Sequence, residues 1–537
     1  MTHIAFLLNL LIQGCPGNPM PIIPQPGIGP VATDPFNPGR PPATPPPGTD
    51  GPRTGIPGAS SPSPPPTLPR TARATAGGPR TGGGIELGPD LDWADWWWLN
   101  AYEYLGPILP RTPSTSGGDD ADRDARSLQV IAEAARSAAV AATADPDARV
   151  RAAAALTAGR LYGPSVRADL LRTLEDRDPL VRRAAIAGLG LSGAEEYVPL
   201  LLRMGTTKDA RPFEEQDMAL LSLGLGAGKG RSGRFAGPLR SFLLTASENE
   251  RRLLGPSAAT SVGLVADPAA LAEFVALAGE KDAPSPLRAR ALWAFRAARA
   301  ASGRDVAIAC LEDRDPDVRR AAALALGRLG EGDEERATRA LMRAVETDGD
   351  VATRAFSLLS MGEVGGPTAR KELLDRIARG KQILRPWAAL GAGLLSRRDP
   401  DEATGPALAR RLAEERNRDT RAALALAIGL SRTQEGRELV RRMAAEGENS
   451  RERVFAALAI PLGRDIEGSP ALRRAIGEIP NPAVRAIDAL ALSAFGSPGD
   501  AGLLLDLHAS LSAPDAFALS SLALAWHGSR ETLGRLL

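Results

Sequence analysis

Histidine and cysteine are almost missing from this chain, with three of the first and two of the second in 537 residues. His3 and Cys15 lie near the N-terminus, which leaves Cys310, His508 and His527 for everything that follows. A zinc site of the Cys/His kind, a serine triad with its histidine base and a disulfide framework all lack material. We therefore assign no catalytic residue, no cofactor site and no metal ligand from the sequence. Lysine is scarce too, occurring only at Lys208, Lys229, Lys281, Lys371 and Lys381, so nearly all of the 65 positive charges are arginine. They face 64 carboxylates, for a net charge of +1. That balance lacks the basic excess typical of nucleic-acid-binding chains, and no nucleic acid is expected as a partner. Aromatic residues make up 4% of the chain, and an Ala-, Leu- and Arg-rich composition favours helix over strand.

The N-terminal part does not read as a globular domain. Ile4 to Ile12 form an apolar run too short to span a bilayer, which takes roughly 20 residues, but long enough for the core of a signal peptide. It ends in Ile12-Gln13-Gly14-Cys15, which resembles the bacterial lipobox, in which a small residue precedes a cysteine that is lipidated after cleavage. Residues 1–15 are therefore expected to direct export, to the cell envelope or periplasmic side, with Cys15 as the lipidation site. The alternative is a cytoplasmic chain with an apolar start. Residues 16–89 hold 22 of the 46 prolines. Such a stretch buries too little apolar surface to offset the entropy of ordering, and it reads as a disordered Pro/Gly-rich tether.

Residues 90–119 follow as a capping or docking segment with its linker. Four of the seven tryptophans stand in it, at Trp93, Trp96, Trp97 and Trp98. Three readings stay open: the rings cap the exposed first layer of the array behind them, they dock a partner, since Trp and Tyr dominate interface hot spots, or they form an interfacial membrane anchor or sugar-stacking platform. The W-x-x-W-W-x-x-N pattern resembles a segment found ahead of helical repeats in secreted proteins of planctomycete-type bacteria.

From residue 120 to 537 one phrase recurs. It is clearest in DRDPLVRRAAIAGLGLSG (Asp176–Gly193) and DRDPDVRRAAALALGRLG (Asp313–Gly330). Its anchor arginines are Arg151, Arg182, Arg288, Arg319, Arg354, Arg385, Arg421, Arg453 and Arg485, mostly one period of 31–36 residues apart. A fixed period of that length indicates stacked helical hairpins rather than compact domains. Asp-Pro or Asn-Pro caps each phrase, apolar and Ala positions share one stripe, and Gly closes the helix. The expected fold is all-α, a solenoid of about twelve helical hairpins in which small Ala residues let neighbouring helices approach closely.

The phrase resembles the HEAT repeat, in its short bacterial form. The resemblance implies a ladder in which an Asp in the turn, six residues before the anchor, pairs with the Arg. The spacing holds for Asp145/Arg151, Asp176/Arg182, Asp282/Arg288, Asp313/Arg319 and Asp348/Arg354. It fails at Arg385, Arg421 and Arg485, so the ladder is expected to be interrupted in the C-terminal third.

Other motifs fail their context. Gly188 to Gly193 spells G-x-G-x-x-G, but at the end of a helical phrase with no strand before it. Gly224 to Gly230 lacks the Ser or Thr of a P-loop. Asp313, Asp315 and Asp317 lack the Gly pivot and terminal Glu of a calcium loop and read as helix caps. Cys310 reads as an inert buried thiol. The expected function is a non-enzymatic scaffold that binds protein partners along a curved solenoid, touching a membrane only through the N-terminal anchor. The alternatives are a self-assembling cell-surface element or, as the family resemblance allows, a bilin lyase-type enzyme.

Overall fold

The computed structural model describes residues 93–100, 130, 133–161, 164–206, 211–225, 233–330, 332–447, 449–529, 531–532 and 535. The apolar N-terminal run, Cys15 and the Pro/Gly-rich tract lie outside them. All regular structure among the described residues is helical. A helix, α1 (Trp93–Asn100), and a helical stretch over 133–142 precede two alternating rows.

The second helices of the hairpins form one row. In layers 1 to 6 they are Ala148–Arg160, Pro179–Ser192, Phe213–Leu225, Gly255–Val265, Ser285–Ala298 and Pro316–Leu329. In layers 7 to 12 they are Val351–Val364, Arg385–Arg398, Arg418–Ser431, Ser450–Leu462, Pro482–Ser493 and Pro514–His527. Successive members of this row pack along most of their length, whereas the first helices, such as Glu334–Thr347 and Pro367–Arg379, meet more sparsely. The closely packed row is thus the inner one, and the splayed row is the outer.

Local sequence sets the start of each inner helix. Asp147, Asp178, Asp315, Asp350, Asn417, Asn449 and Asn481 are extended residues whose side-chain oxygens accept backbone N–H groups of the first turn. Each such cap stabilises by about 1 kcal/mol. Pro179, Pro316 and Pro482 follow the cap, where a missing N–H costs nothing. The two rows differ in how they are buried. On the outer helix Glu334–Thr347, Ala337, Leu341 and Val345 face the core while Arg339 and Arg343 are exposed. The inner helix Arg418–Ser431 is buried from Ala422 to Ser431 without interruption, because a neighbour covers it on either side.

Glycine has a second use here besides ending helices. Gly193 and Gly528 do close their helices in the left-handed region, at φ 61° and 62°. Arg299 and Arg432 take that conformation elsewhere, at φ 51° and 58°. Many glycines instead sit inside the inner helices, eight residues after the anchor. A Cβ on Gly190 would lie 2.7 Å from the Ser222 Cβ, and one on Gly429 would lie 2.5 Å from the Ala459 carbonyl oxygen. Gly159 and Gly362 meet Gly188 and Gly391 in the same way. Successive inner helices therefore touch backbone to backbone, closer than the expected Ala packing alone would bring them.

Candidate interaction surface on the inner row

The anchor arginines do form a ladder, with a different partner from the one the six-residue spacing suggests. Arg151 donates from Nε and Nη2 to the two carboxylate oxygens of Asp176, at 2.8 and 2.9 Å. From Asp145 it takes only the backbone carbonyl, at 2.9 Å. Arg319 likewise grips Asp348 at 2.8 and 3.0 Å and reaches the carbonyl of Asp313 at 2.9 Å. Arg288 pairs with Asp313, and Arg182 with Glu215 at 2.7 Å. Asp282 is exposed and stands outside the row.

Each acid thus belongs to the arginine one layer before it. The reason lies in the turn. Asp176, Asp313 and Asp348 each accept the N–H two residues on, at 2.8–2.9 Å, which fixes the carboxylate toward the preceding layer; the carbonyls of Asp176 and Asp313 are left to the same layer's Arg182 and Arg319. The Arg151 guanidinium, with burial opposing it, holds the Asp176 carboxyl below its ordinary range.

This register also moves the interruptions. Arg385 reaches Glu415 at 3.5 Å and Arg421 reaches Glu452 at 3.3 Å, so the row continues there. Arg354, Arg453 and Arg485 instead donate to the carbonyls of Val345, Ala445 and Ile476. In the slots that would serve Arg354 and Arg453 stand Arg379 and Ile479.

A second charge cluster has no counterpart in the repeat phrase. Arg296 occupies the position at which other inner helices carry the contact glycine. It donates to both oxygens of Glu363, at 2.6 and 2.9 Å, and to the carbonyl of Leu324 at 2.6 Å. Arg328, one layer before Glu363, adds a bond to it at 3.0 Å, so the cluster spans layers 5 to 7. Burial opposes the Glu363 charge, but the two guanidinium groups outweigh it and lower its pKa. A Cβ at Gly327 would strike this carboxylate.

The aromatic residues are concentrated. Two residues past the anchor stand Ala153, Ala184, Arg290 and Ala321 in N-terminal layers, then Phe356, Trp387, Ala423 and Phe455 in layers 7 to 10. The Phe356 and Trp387 rings meet edge to face, 5.7 Å apart. Onto this strip α1 is laid. Trp96 lies 6.4 Å from Trp387, and Trp93 lies 4.6 Å from Phe455 with the Arg451 guanidinium 5.4 Å from its ring. Trp93, Trp96 and Trp97 are 2%, 7% and 0% exposed, so the helix is seated rather than resting on the surface. The Trp93 indole N–H is buried with no hydrogen-bond acceptor among the described residues, an omission that costs about 1–3 kcal/mol. The side chain of Trp98 lies outside the described residues.

The Trp segment therefore does not lie over the first layer, as the capping expectation had it. Its ring partners belong to layers 8 and 10. A clue was legible in the sequence: R-A-F, R-P-W and R-V-F place aromatics at one inner-row position in a chain with few of them.

The remaining candidate residues are structural. Cys310 is buried, with its thiol pushed up by burial and 3.5 Å from the Ala278 carbonyl. His508 lies 2.9 Å from the Ser520 hydroxyl and 4.4 Å from the Phe517 ring, and burial lowers its pKa. Asp315 caps its helix and Asp317 pairs with Arg320. No group of side chains able to hold a metal ion occurs among the described residues. No helix among them is long and apolar enough to cross a membrane.

Comparison with known proteins gives one family-model match and several solved structures. A family model described as HEAT repeats matches residues 136–223 and 277–355. No curated protein matches the sequence. Human deoxyhypusine hydroxylase in complex with glycerol aligns at 20% identity over 50% of this chain and 96% of its own, with a TM-score of 0.23. A mutant of Kap121p aligns at 11% identity over 81% of this chain and 54% of its own, with a TM-score of 0.36. The karyopherin Kap121p bound to the extreme C-terminus of the protein phosphatase Cdc14p aligns at 12% identity over 74% of this chain and 50% of its own, with a TM-score of 0.34. This chain spans about half the length of Kap121p. With paired helices, a repeating acid–arginine row and HEAT repeats matched over residues 136–223 and 277–355, the described array is an α-solenoid.

Proposed function

We propose that this chain is a non-enzymatic scaffold that binds protein partners along its inner row of helices. The observation that carries the reading is the aromatic strip of layers 7 to 10, which already receives a Trp-bearing helix from elsewhere in the chain. Large aromatic anchors in a desolvated seat are the features that dominate protein interfaces. A protein partner fits better than nucleic acid, because the anchor arginines spend their charge on acids and carbonyls of the solenoid itself. The apolar run Ile4–Ile12 and Cys15 support an exported, lipid-anchored form in which residues 16–89 hold the solenoid away from the membrane.

A photocrosslinking amino acid at Ala153 or Ala321 on the inner row, compared with Arg339 or Arg343 on the outer row, tests the scaffold in the native cell. One defined protein captured from inner positions and none from outer ones supports it. Equal, diffuse capture from both rows argues against it. For the anchor, radiolabelled palmitate should enter the wild type and not Cys15→Ser, and equal labelling of both would remove lipidation at that residue.

A further inference from the structure

The seat of α1 has the character of a binding site more than of a domain core. Its walls come from layers 8 and 10 of the inner row, through Trp387 and Phe455, with Arg451 beside the Trp93 ring. Its occupant is a helix of eight residues that stands outside the twelve paired layers. Trp93 and Trp96 stand three residues apart, a spacing that puts both rings on one side of a helix. Arg451 faces the Trp93 ring while its guanidinium stays paired with Asp419 at 3.0 Å, so no charge is stranded when the ring arrives or leaves. The indole N–H of Trp93 finds no acceptor among the described residues, which makes this occupant imperfect and hence replaceable.

We propose that the strip of layers 7 to 10 is a receptor site for a protein helix presenting two tryptophans three residues apart, and that α1 is its tethered occupant. The scaffold's docking face is thereby closed in cis, and a partner opens it by displacing α1 with a helix of the same kind. A tethered ligand acts at an effective concentration on the order of millimolar, so a free partner helix must outcompete it. The proposal rests on the scaffold reading and adds to it the partner's chemistry and the means of control.

A fluorescent peptide with the sequence of residues 90–105 is the probe. A full chain carrying Trp93→Ala, Trp96→Ala and Trp97→Ala should bind it with micromolar Kd, and the wild-type chain at least ten-fold more weakly. Trp387→Ala in the silenced chain should weaken binding ten-fold or more. Equal affinity of silenced and wild-type chains would overturn cis closure, and a folded silenced chain that ignores the peptide would overturn the receptor site. Should the triple variant fail to fold, a protease site placed within 101–129 of the wild-type chain replaces it. After cleavage the labelled peptide should exchange for the released segment, and a segment retained without exchange would refute the idea. Inner-row photocrosslinking can succeed while the peptide fails, which separates this proposal from the scaffold itself.

Discussion

The Arg319 guanidinium binds the carboxylate of Asp348 through two hydrogen bonds, at 2.8 and 3.0 Å, although Asp348 lies in the turn of the following layer. Asp313, six residues before Arg319, offers it a carbonyl and gives its own carboxylate to Arg288. Arg151 and Asp176 repeat the same bidentate pairing between layers 1 and 2. Such a pair adds direction to the non-directional burial between layers.

Arg319→Ala should lower stability by roughly 1–3 kcal/mol by leaving the Asp348 carboxylate half-satisfied. A double-mutant cycle with Asp348→Ala should show coupling of about 1 kcal/mol or more, and a cycle with Asp313→Ala close to none. Urea unfolding of the two cycles measures both. Coupling to Asp313 in place of Asp348 would contradict the layer-to-layer register.

The glycines of the inner helices should divide sharply by position. A methyl on Gly362 would overlap the carbonyl of Gly391, so Gly362→Ala should cost several kcal/mol, about 2–4 by analogy with overpacked cores. Gly477, on the outer helix Ser469–Glu478, has open space where its Cβ would stand. Gly477→Ala should stabilise by about 0.5–1 kcal/mol through helix propensity. Thermal melts of the two variants, compared with the wild type, check the contrast.

Arg432 ends its helix at φ 58°, a conformation that favours glycine, with burial and the nearby Arg464 both working against its charge. Arg432→Gly should therefore raise stability by about 1 kcal/mol, by removing left-handed strain and a like-charge neighbour. A lower melting temperature would show that the side chain contributes more than its backbone costs.

Asp488 is fully buried on the inner helix Pro482–Ser493, and neither of its carboxylate oxygens has a hydrogen-bond partner among the described residues. Burial raises its pKa well above the ordinary value, against the pull of Arg453. The folded state therefore holds the proton more tightly than the unfolded one. The stability this lends is complete below about pH 4, the unfolded value, and is lost as pH climbs toward the raised one. Corresponding positions in other layers are Ser357, Ala388 and Ala456. Asp488→Ala should raise the melting temperature at pH 8 and change it little or lower it at pH 3.5. A gain of equal size at both pH values would mean that cavity and packing effects, not ionisation, govern the site.

The stacking was legible in the sequence because it rests on local chemistry that recurs. Asp-Pro and Asn-Pro caps, a period of 31–36 residues and an Arg at one place in each phrase need no tertiary knowledge to be seen. The partner of that Arg was not legible. An Asp six residues back and an Asp in the next turn occupy equivalent places in a repeat, and spacing alone cannot say which one the side chain reaches. The same holds for the glycines, where a helix end and a point of close approach look alike until the neighbouring helix is in place.

The Trp segment shows the limit most plainly. That its rings must be covered follows from their apolar area, whatever the fold. Which surface covers them depends on how the layers stack, and that stacking brings Trp387 and Phe455 to a helix far away in the chain. Local signals are carried within a dozen residues, so the sequence by itself determined the helices, their caps and their stacking order. Long-range pairing depends on the summed geometry of many layers, so only the tertiary structure decided the register of the ladder and the seat of α1.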